Sequence, residues 1–340
     1  MISVLFIVGA LRLASQYRFN NPGSVVHTIL PSGTKISTNY YCTAVPSVNS
    51  TSLPTIWFES SAAHGVTDFL GVQTFLAESH GRNSCSYDPP NFGWSSRWPA
   101  SEKLDLNAVF DPLLAAIGRQ GEKKVLAGWG GGAENVLKHA RQNPTTVEGV
   151  VFLDASPNGI EWLDRKRALN LTMKETIDFA KTDMRGRVTL AQIILTLGIP
   201  WGLLPIFVPA NETGYFDQAE YPRHHAQSLK EDMWAMQYYQ LVDQSSSPFG
   251  VKLEDLQLPN DISVYGIATY NSGSDTASDQ FYRYEKVQLA NSVSAGNITK
   301  PFVWCEEADF LGYDPTLWSM HRFLKQSLFG VKNEQLWRET

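Results

Sequence analysis

The sequence predicts an α/β protein: a mostly parallel central sheet covered by helices on both faces, with a helical segment inserted between its strands. Three observations carry that expectation. Short apolar runs of strand length alternate with helical stretches through the first half of the 340-residue chain. The alternation gives way to helix and loop from about Pro157 to Leu258, and it resumes at Asp261. Strands separated by helices of about ten to sixteen residues are the pattern of a parallel sheet, because each crossover lays a helix on a face.

The elements follow in order. PTIWFES (54–60) is a strand and Val66 to Glu78 a helix; NSCSYD (83–88) is a strand and Leu104 to Arg119 a helix. KVLAGW (124–129), a helix from Ala133 to Asn143, and GVVFLDAS (149–156) continue the rhythm. After the insertion come the strands DISVYGIATY (261–270) and KPFVWCEE (300–307), then a closing helix through Trp318 to Leu328. Residues 21–156 and 259–340 therefore form one core, residues 157–258 a helical lid, and residues 1–20 a separate apolar start. Ala191 to Ala210 is apolar enough to suggest a membrane span, but Pro200, Pro205 and Pro209 each remove a backbone donor, so a lid over a pocket fits better.

Composition bounds the function. With 43% hydrophobic and 12% aromatic residues, the chain can bury a sizeable core. A net charge of -6 without a Lys/Arg-rich block excludes nucleic-acid binding, which needs clustered basic side chains. Cys42, Cys85 and Cys305 have neither C-x-x-C spacing nor nearby histidines, so neither zinc nor thioredoxin-like chemistry, nor any other metal site, is expected. One disulfide is compatible with three cysteines; free thiols are the expectation.

The start, MISVLFIVGALRLASQYRF, is apolar from Met1 to Leu11 and then carries Arg12 and Arg18. It is shorter than the roughly 20 residues of a membrane span and lacks the basic n-region and cleavage site of a signal peptide. Residues 1–19 are either a membrane anchor of marginal length or a first helix packed on the body. Sequons at Asn49, Asn170, Asn211 and Asn297 fit a glycoprotein facing the secretory lumen or endoplasmic reticulum. The arginines favour the opposite orientation.

VLAGWGGGAENVL (125–137) reads as a buried strand, a turn crowded with glycine, and a helix. Such a turn often carries a nucleophilic serine inside Gly-x-Ser-x-Gly. Gly130 stands at the middle position here. The turn has neither the spacing of a Rossmann fingerprint nor the Lys-Ser/Thr of a P-loop, so no nucleotide and no other cofactor is implied.

Around this turn, PTIWFES, CSYDPPNFGWS (Cys85 to Ser95) and GVVFLDASP (Gly149 to Pro157) occur in an order that resembles the α/β-hydrolase superfamily. Within it they are similar to esterase- and lipase-like members with an N-terminal anchor and a C-S-Y-D-x-x-x-x-G-W-S run after strand four. The resemblance covers Val25 to Ser156 well and the C-terminal strands weakly. It implies the α/β-hydrolase fold, not a reaction, because that fold hosts many.

The resemblance also implies a serine on the elbow, a histidine after the last strand and an acid orienting it. Gly130 replaces the serine. After FVWC comes EEADFLGYDP, where counting from Phe310 gives Asp309 and counting from Pro315 gives Ala308; neither is an imidazole. His321 lies beyond, in the closing helix. His64, in ESSAAHG, falls in the oxyanion loop with Ser60 and Ser61, and it either lines the pocket or faces solvent. Asp275 and Asp279 follow ISVYGIATY at the acid's place. Two independent losses indicate a natural pseudo-hydrolase rather than a single engineered Ser-to-Gly trap.

The elbow keeps its backbone N–H groups, chiefly that of Gly131, at a helix N-terminus that favours a carboxylate, enolate or polarised carbonyl. The first reading is thus a cyclase or isomerase acting on an apolar metabolite of polyketide or terpenoid type. Trp129, Gly130, Gly131, Ser60, Ser61, His64, Trp201, Phe207, Trp234, Tyr238 and Tyr239 would hold the ligand, with Asp309 or Asp275 as general acid or base. The second is an inactive scaffold for a membrane-bound enzyme of a biosynthetic pathway, whose interface anchors would come from the ten tryptophans. Ordinary serine hydrolysis is third.

Overall fold

The computed structural model describes residues 20–43, 53–60, 64–99, 107–153, 155, 257–259, 261–270 and 302–306, with isolated positions between 170 and 189. The lid, the anchor-like start and the C-terminal helix of the sequence reading lie outside the described residues.

Eight strands form one sheet in the order β1-β2-β4-β3-β5-β6-β7-β8. The strands are β1 (Ser24–Ile29), β2 (Lys35–Cys42), β3 (Thr55–Glu59), β4 (Ser84–Tyr87), β5 (Lys124–Trp129), β6 (Val147–Leu153), β7 (Ser263–Tyr270) and β8 (Phe302–Glu306). β1 and β2 are antiparallel to each other, β2 is antiparallel to β4, and every pairing from β4 through β8 is parallel. The described helices are α1 (Val66–His80), α2 (Asn107–Ala116) and α3 (Gly132–Gln142).

Alternation along the central strands builds the two core layers. Ile56 and Phe58 of β3 pack with Phe69, Val72 and Leu76 of α1 on one face. Trp57 points the other way, joining Leu126 of β5, Phe110, Leu113 and Leu114 of α2, and Val136, Leu137 and Ala140 of α3. The sheet is therefore covered on both sides, as the sequence rhythm predicts.

The β1–β2 hairpin is absent from the sequence reading, and its composition explains why. Its inward positions are largely polar: Thr28, Thr38 and Asn39 are buried, with the two threonine hydroxyls 3.3 Å apart. A strand pair that buries hydroxyls does not display apolar alternation.

Cys42 and Cys85 face each other in the β2–β4 register, with Cα atoms 4.1 Å apart, and form a disulfide. This corrects the expectation of free thiols. The pairing depends on the sheet placing two residues 43 apart in sequence directly opposite one another, which spacing does not reveal. Closing a loop of that length constrains the unfolded chain by about 4 kcal/mol in the entropic model.

The CSYD…GWS run is explained by Asp88, just past β4 and fully buried. Its Oδ1 accepts the first helical N–H of α1, from Val66, at 2.8 Å. Its Oδ2 accepts from Asn39 Nδ2 of β2 at 2.7 Å and from the Trp94 N–H at 2.9 Å. Glycine is required around it: a Cβ at Gly93, whose φ is +53°, would lie 1.9 Å from Asp88 Oδ2. Ser95 closes the turn, donating to the Asp88 carbonyl at 2.7 Å while accepting the Asn39 N–H at 2.9 Å. One carboxylate thus joins β2, the start of α1 and the turn after β4.

Replacing Asp88 by Ala removes the acceptor of two buried donors, on Val66 and Asn39, and of the part-buried Trp94 N–H; each buried donor costs about 1–3 kcal/mol unpaired. D88A is expected to lose at least about 2 kcal/mol in urea denaturation, while D88N, which keeps one acceptor oxygen, loses less. Equal stability of the variants and the parent would refute the role assigned to this carboxylate.

Candidate functional site

The glycine-rich turn is formed as the sequence reading requires, at the C-terminal edge of β5. β5 ends at Trp129 and α3 begins at Gly132, with Gly131 as its N-cap at φ -65° and ψ -20°. Gly130, at the apex, has φ +52°. Its N–H donates to the Leu153 carbonyl of β6 at 3.0 Å, and its carbonyl accepts from Ala133 at 3.3 Å.

The flanking glycines answer a different constraint. A Cβ at Gly128 would lie 2.6 Å from Ala133 Cα, and one at Gly132 would lie 2.5 Å from the Glu59 carbonyl oxygen. These positions are glycine because the elbow backbone presses on its own helix and on the end of β3. The apex is different: a left-handed φ costs an L-residue roughly 1–2 kcal/mol, and glycine adopts it without that cost. A Gly-x-Ser-x-Gly elbow holds this strain in its serine; this chain does not.

Beside the elbow, Ser60 follows β3 and His64 precedes α1. Ser60 is buried, and its hydroxyl donates to the His64 carbonyl at 2.8 Å. His64 Nδ1 lies 3.0 Å from Asp68 Oδ1, and its ring packs on Trp129 with centroids 4.3 Å apart. The Asp68 side chain is 1% exposed, whereas that of His64 is 29% exposed. The other Asp68 oxygen accepts the Gly65 N–H at 2.6 Å, so the carboxylate is fixed as the N-terminal cap of α1. A carboxylate held on Nδ1 sets the tautomer and orientation of an imidazole.

The chain therefore does carry an imidazole–carboxylate pair, supplied by the residue two before α1 and by the first turn of α1. Sequence reasoning singled out His64 and missed its partner. The available signal was a histidine and an aspartate four residues apart across a helix start. Trp129, Gly130, Gly131, Ser60 and His64 come together. Asp309, Asp275, Ser61, Trp201, Trp234 and Tyr238 lie outside the described residues. Among the described residues no cluster of His, Cys, Asp or Glu could hold a metal ion.

Beneath the elbow, on the α2–α3 face, sits a second polar group that the sequence reading did not find. Glu59, 7% exposed, accepts from Tyr87 Oη at 2.5 Å and from Asn135 Nδ2 of α3 at 3.0 Å. Burial raises its carboxyl to about 7 against the lowering effect of both hydrogen bonds. Burial, and then the adjacent Glu59, hold the Tyr87 phenol well above its usual range. Its signal was a lone acid closing the apolar strand TIWFE.

With this geometry in view, the likenesses to solved structures are informative. An esterase from Thermogutta terrifontis superposes with a TM-score of 0.56 at 15% identity, over 89% of this chain and 98% of that one. An enol-lactonase from Burkholderia xenovorans gives 0.53 at 13% identity, over 88% and 99%. A membrane phospholipase A, described as a bacterial virulence factor, gives 0.52 at 15%, over 97% and 93%. The chain has the α/β-hydrolase fold. No family model matches it, and no curated protein matches it in sequence. At such low identities the likeness extends to the hydrolase fold alone.

Glu59 gives this fold a pH signature. Its folded-state value lies above the ordinary 4.5, so the folded chain retains a proton that the unfolded chain releases. The resulting stabilisation is complete below pH 4.5 and is lost as the pH rises to about 7, a fall of about 3 kcal/mol. Glu59→Gln mimics the protonated acid: its Nε2 donates to Tyr87 Oη and its Oε1 accepts from Asn135. The stability of E59Q relative to the parent, from urea denaturation, is expected to rise by about that amount between pH 4.5 and 8. A pH-independent difference would show that Glu59 carries no such proton.

Proposed function

We propose that the chain is a non-hydrolytic α/β-hydrolase-fold enzyme that binds an apolar metabolite of polyketide or terpenoid type and promotes its cyclisation or isomerisation by acid–base chemistry. The observation that carries this reading is the pairing of an intact elbow, glycine at its apex, with the His64–Asp68 couple packed on Trp129. Gly130 offers no atom for covalent acylation. An imidazole oriented by a buried carboxylate can still take and return a proton, and the amides at the start of α3 favour a developing enolate. Asp309 and Asp275 remain proposed as further acid–base groups, with Trp201, Trp234, Tyr238 and Ser61 proposed to line the ligand. A catalytically inactive scaffold whose lid surface docks a membrane-bound partner enzyme, with residues 1–19 on the membrane, is the second reading; Gly130 supports it equally, the His64–Asp68 couple does not.

The test uses 5-nitrobenzisoxazole, whose ring opening reports proton abstraction from carbon by a base in an apolar site. The full chain is expected to accelerate the reaction, and His64→Gln to lower the rate by about 100-fold, with Asp68→Asn lowering it less. Labelling of the unmodified chain by a fluorophosphonate probe would sink the non-hydrolytic reading, and equal rates for H64Q and the parent would sink the acid–base role.

We further propose that the protein is a glycoprotein of the secretory pathway, associated with the membrane. The Cys42–Cys85 disulfide supports an oxidising compartment, and Asn170, in the sequon Asn170-Leu171-Thr172, is exposed. Among the described residues no helix is long and apolar enough to cross a membrane. An endoglycosidase mobility shift that is smaller in Asn170→Gln is expected from eukaryotic secretory expression; no shift in either chain would count against the compartment.

A further inference from the structure

A small chamber lies between the sheet and the first turns of α3, behind the elbow and independent of the reaction proposed above. Trp57, Glu59, Tyr87, Phe110, Asn135 and His139 line it. Three polar atoms there have no protein partner: Trp57 Nε1, Asn135 Oδ1 and His139 Nε2. All three side chains are more than nine-tenths buried, at 1%, 6% and 5% exposure. Each such group left unsatisfied costs about 1–3 kcal/mol, so three on residues that line one space call for an occupant.

The chemistry of the lining selects it. Trp57 Nε1–H is a donor only, which repels a cation, and Asn135 Oδ1 is an acceptor, which repels an anion alongside Glu59. Burial lowers the His139 imidazole to about 4, outweighing the opposing effect of Asp111, so the ring is neutral. Its Nδ1 lies 3.2 Å from Asp111 Oδ1 and 3.3 Å from Asn143 Nδ2. If Nδ1–H donates to Asp111, Nε2 is an acceptor; if Nδ1 accepts from Asn143, Nε2–H is a donor. A molecule with two donors and two acceptors is satisfied by both tautomers. The chamber measures about 10 Å³, at the lower limit of the roughly 10–15 Å³ that holds one water.

We propose that this chamber is a binding site for a single water molecule, held by Trp57 Nε1, Asn135 Oδ1 and His139 Nε2. The water completes a polar chain from Tyr87 of β4 through Glu59 of β3 and Asn135 to His139 of α3 and Asp111 of α2. That chain fastens the elbow helix to the strands beneath it. Glu59 and Asn135 are positioning residues in it.

Two measurements on the full chain test the site. A crystal structure that resolves solvent is expected to show one peak within hydrogen-bonding distance of all three atoms. In solution, the Trp57 indole proton is expected to give a rotating-frame cross-peak at the water frequency despite its burial. Val136→Ile, which adds one methylene to an apolar chamber wall, is expected to abolish that cross-peak with the fold retained. Trp57→Phe, which removes the indole, identifies the resonance by its loss. A collapsed chamber with the three atoms paired to protein groups would overturn the proposal, as would density for an ion or a cross-peak unaffected by V136I.

Discussion

The Asp88 carboxylate is the constraint on which the upper edge of the sheet depends. It is fully buried, and N–H donors from three separate segments hold it there. Burial of a carboxylate is tolerated only where such donors replace the lost water, so those segments cannot move independently. By accepting the Val66 N–H it fixes where α1 begins, and therefore where His64 and Asp68 stand relative to Trp129. A carboxylate packed against Gly65, the neighbour of His64, thus constrains the position of the imidazole. The CSYD…GWS run is in this light a structural device.

Glu59 performs the corresponding task on the opposite face. β3 turns Phe58 toward α1 and Glu59 toward α3, so consecutive residues anchor the two helices that flank the site. The two buried acids differ in their surroundings. Asp88 meets three N–H groups, whereas Glu59 meets one amide and a phenol that is itself disfavoured as an anion. Fewer donors leave desolvation dominant, which is why Glu59 retains a proton toward neutrality.

Most of the architecture was legible because it rests on patterns that sequence displays directly. Apolar runs such as VVFL and TIWF announce buried parallel strands, and the glycine turn announces its own close contacts. The β1–β2 hairpin was not legible, since Thr28, Thr38 and Asn39 face inward as polar residues. The disulfide was not legible either, because only the sheet register brings Cys42 opposite Cys85. At the site, Gly130 and His64 could be read from their places in motifs. Asp68, Glu59 and Asn135 could not, because their meaning lies in partners distant in sequence or across a helix start.

The elbow backbone does not depend on a side chain at its apex. The turn is shaped by Gly128 against Ala133, by Gly132 against the end of β3, and by the Gly130 N–H bonded to β6. None of these interactions involves a side chain at position 130. Glycine at the apex takes the left-handed φ without the strain a side chain would bring, and the backbone contacts stand without one. Chemistry and architecture are separable at this turn. Around the apex, among the described residues, the His64–Asp68 couple is the one that combines partial exposure with a buried orienting acid.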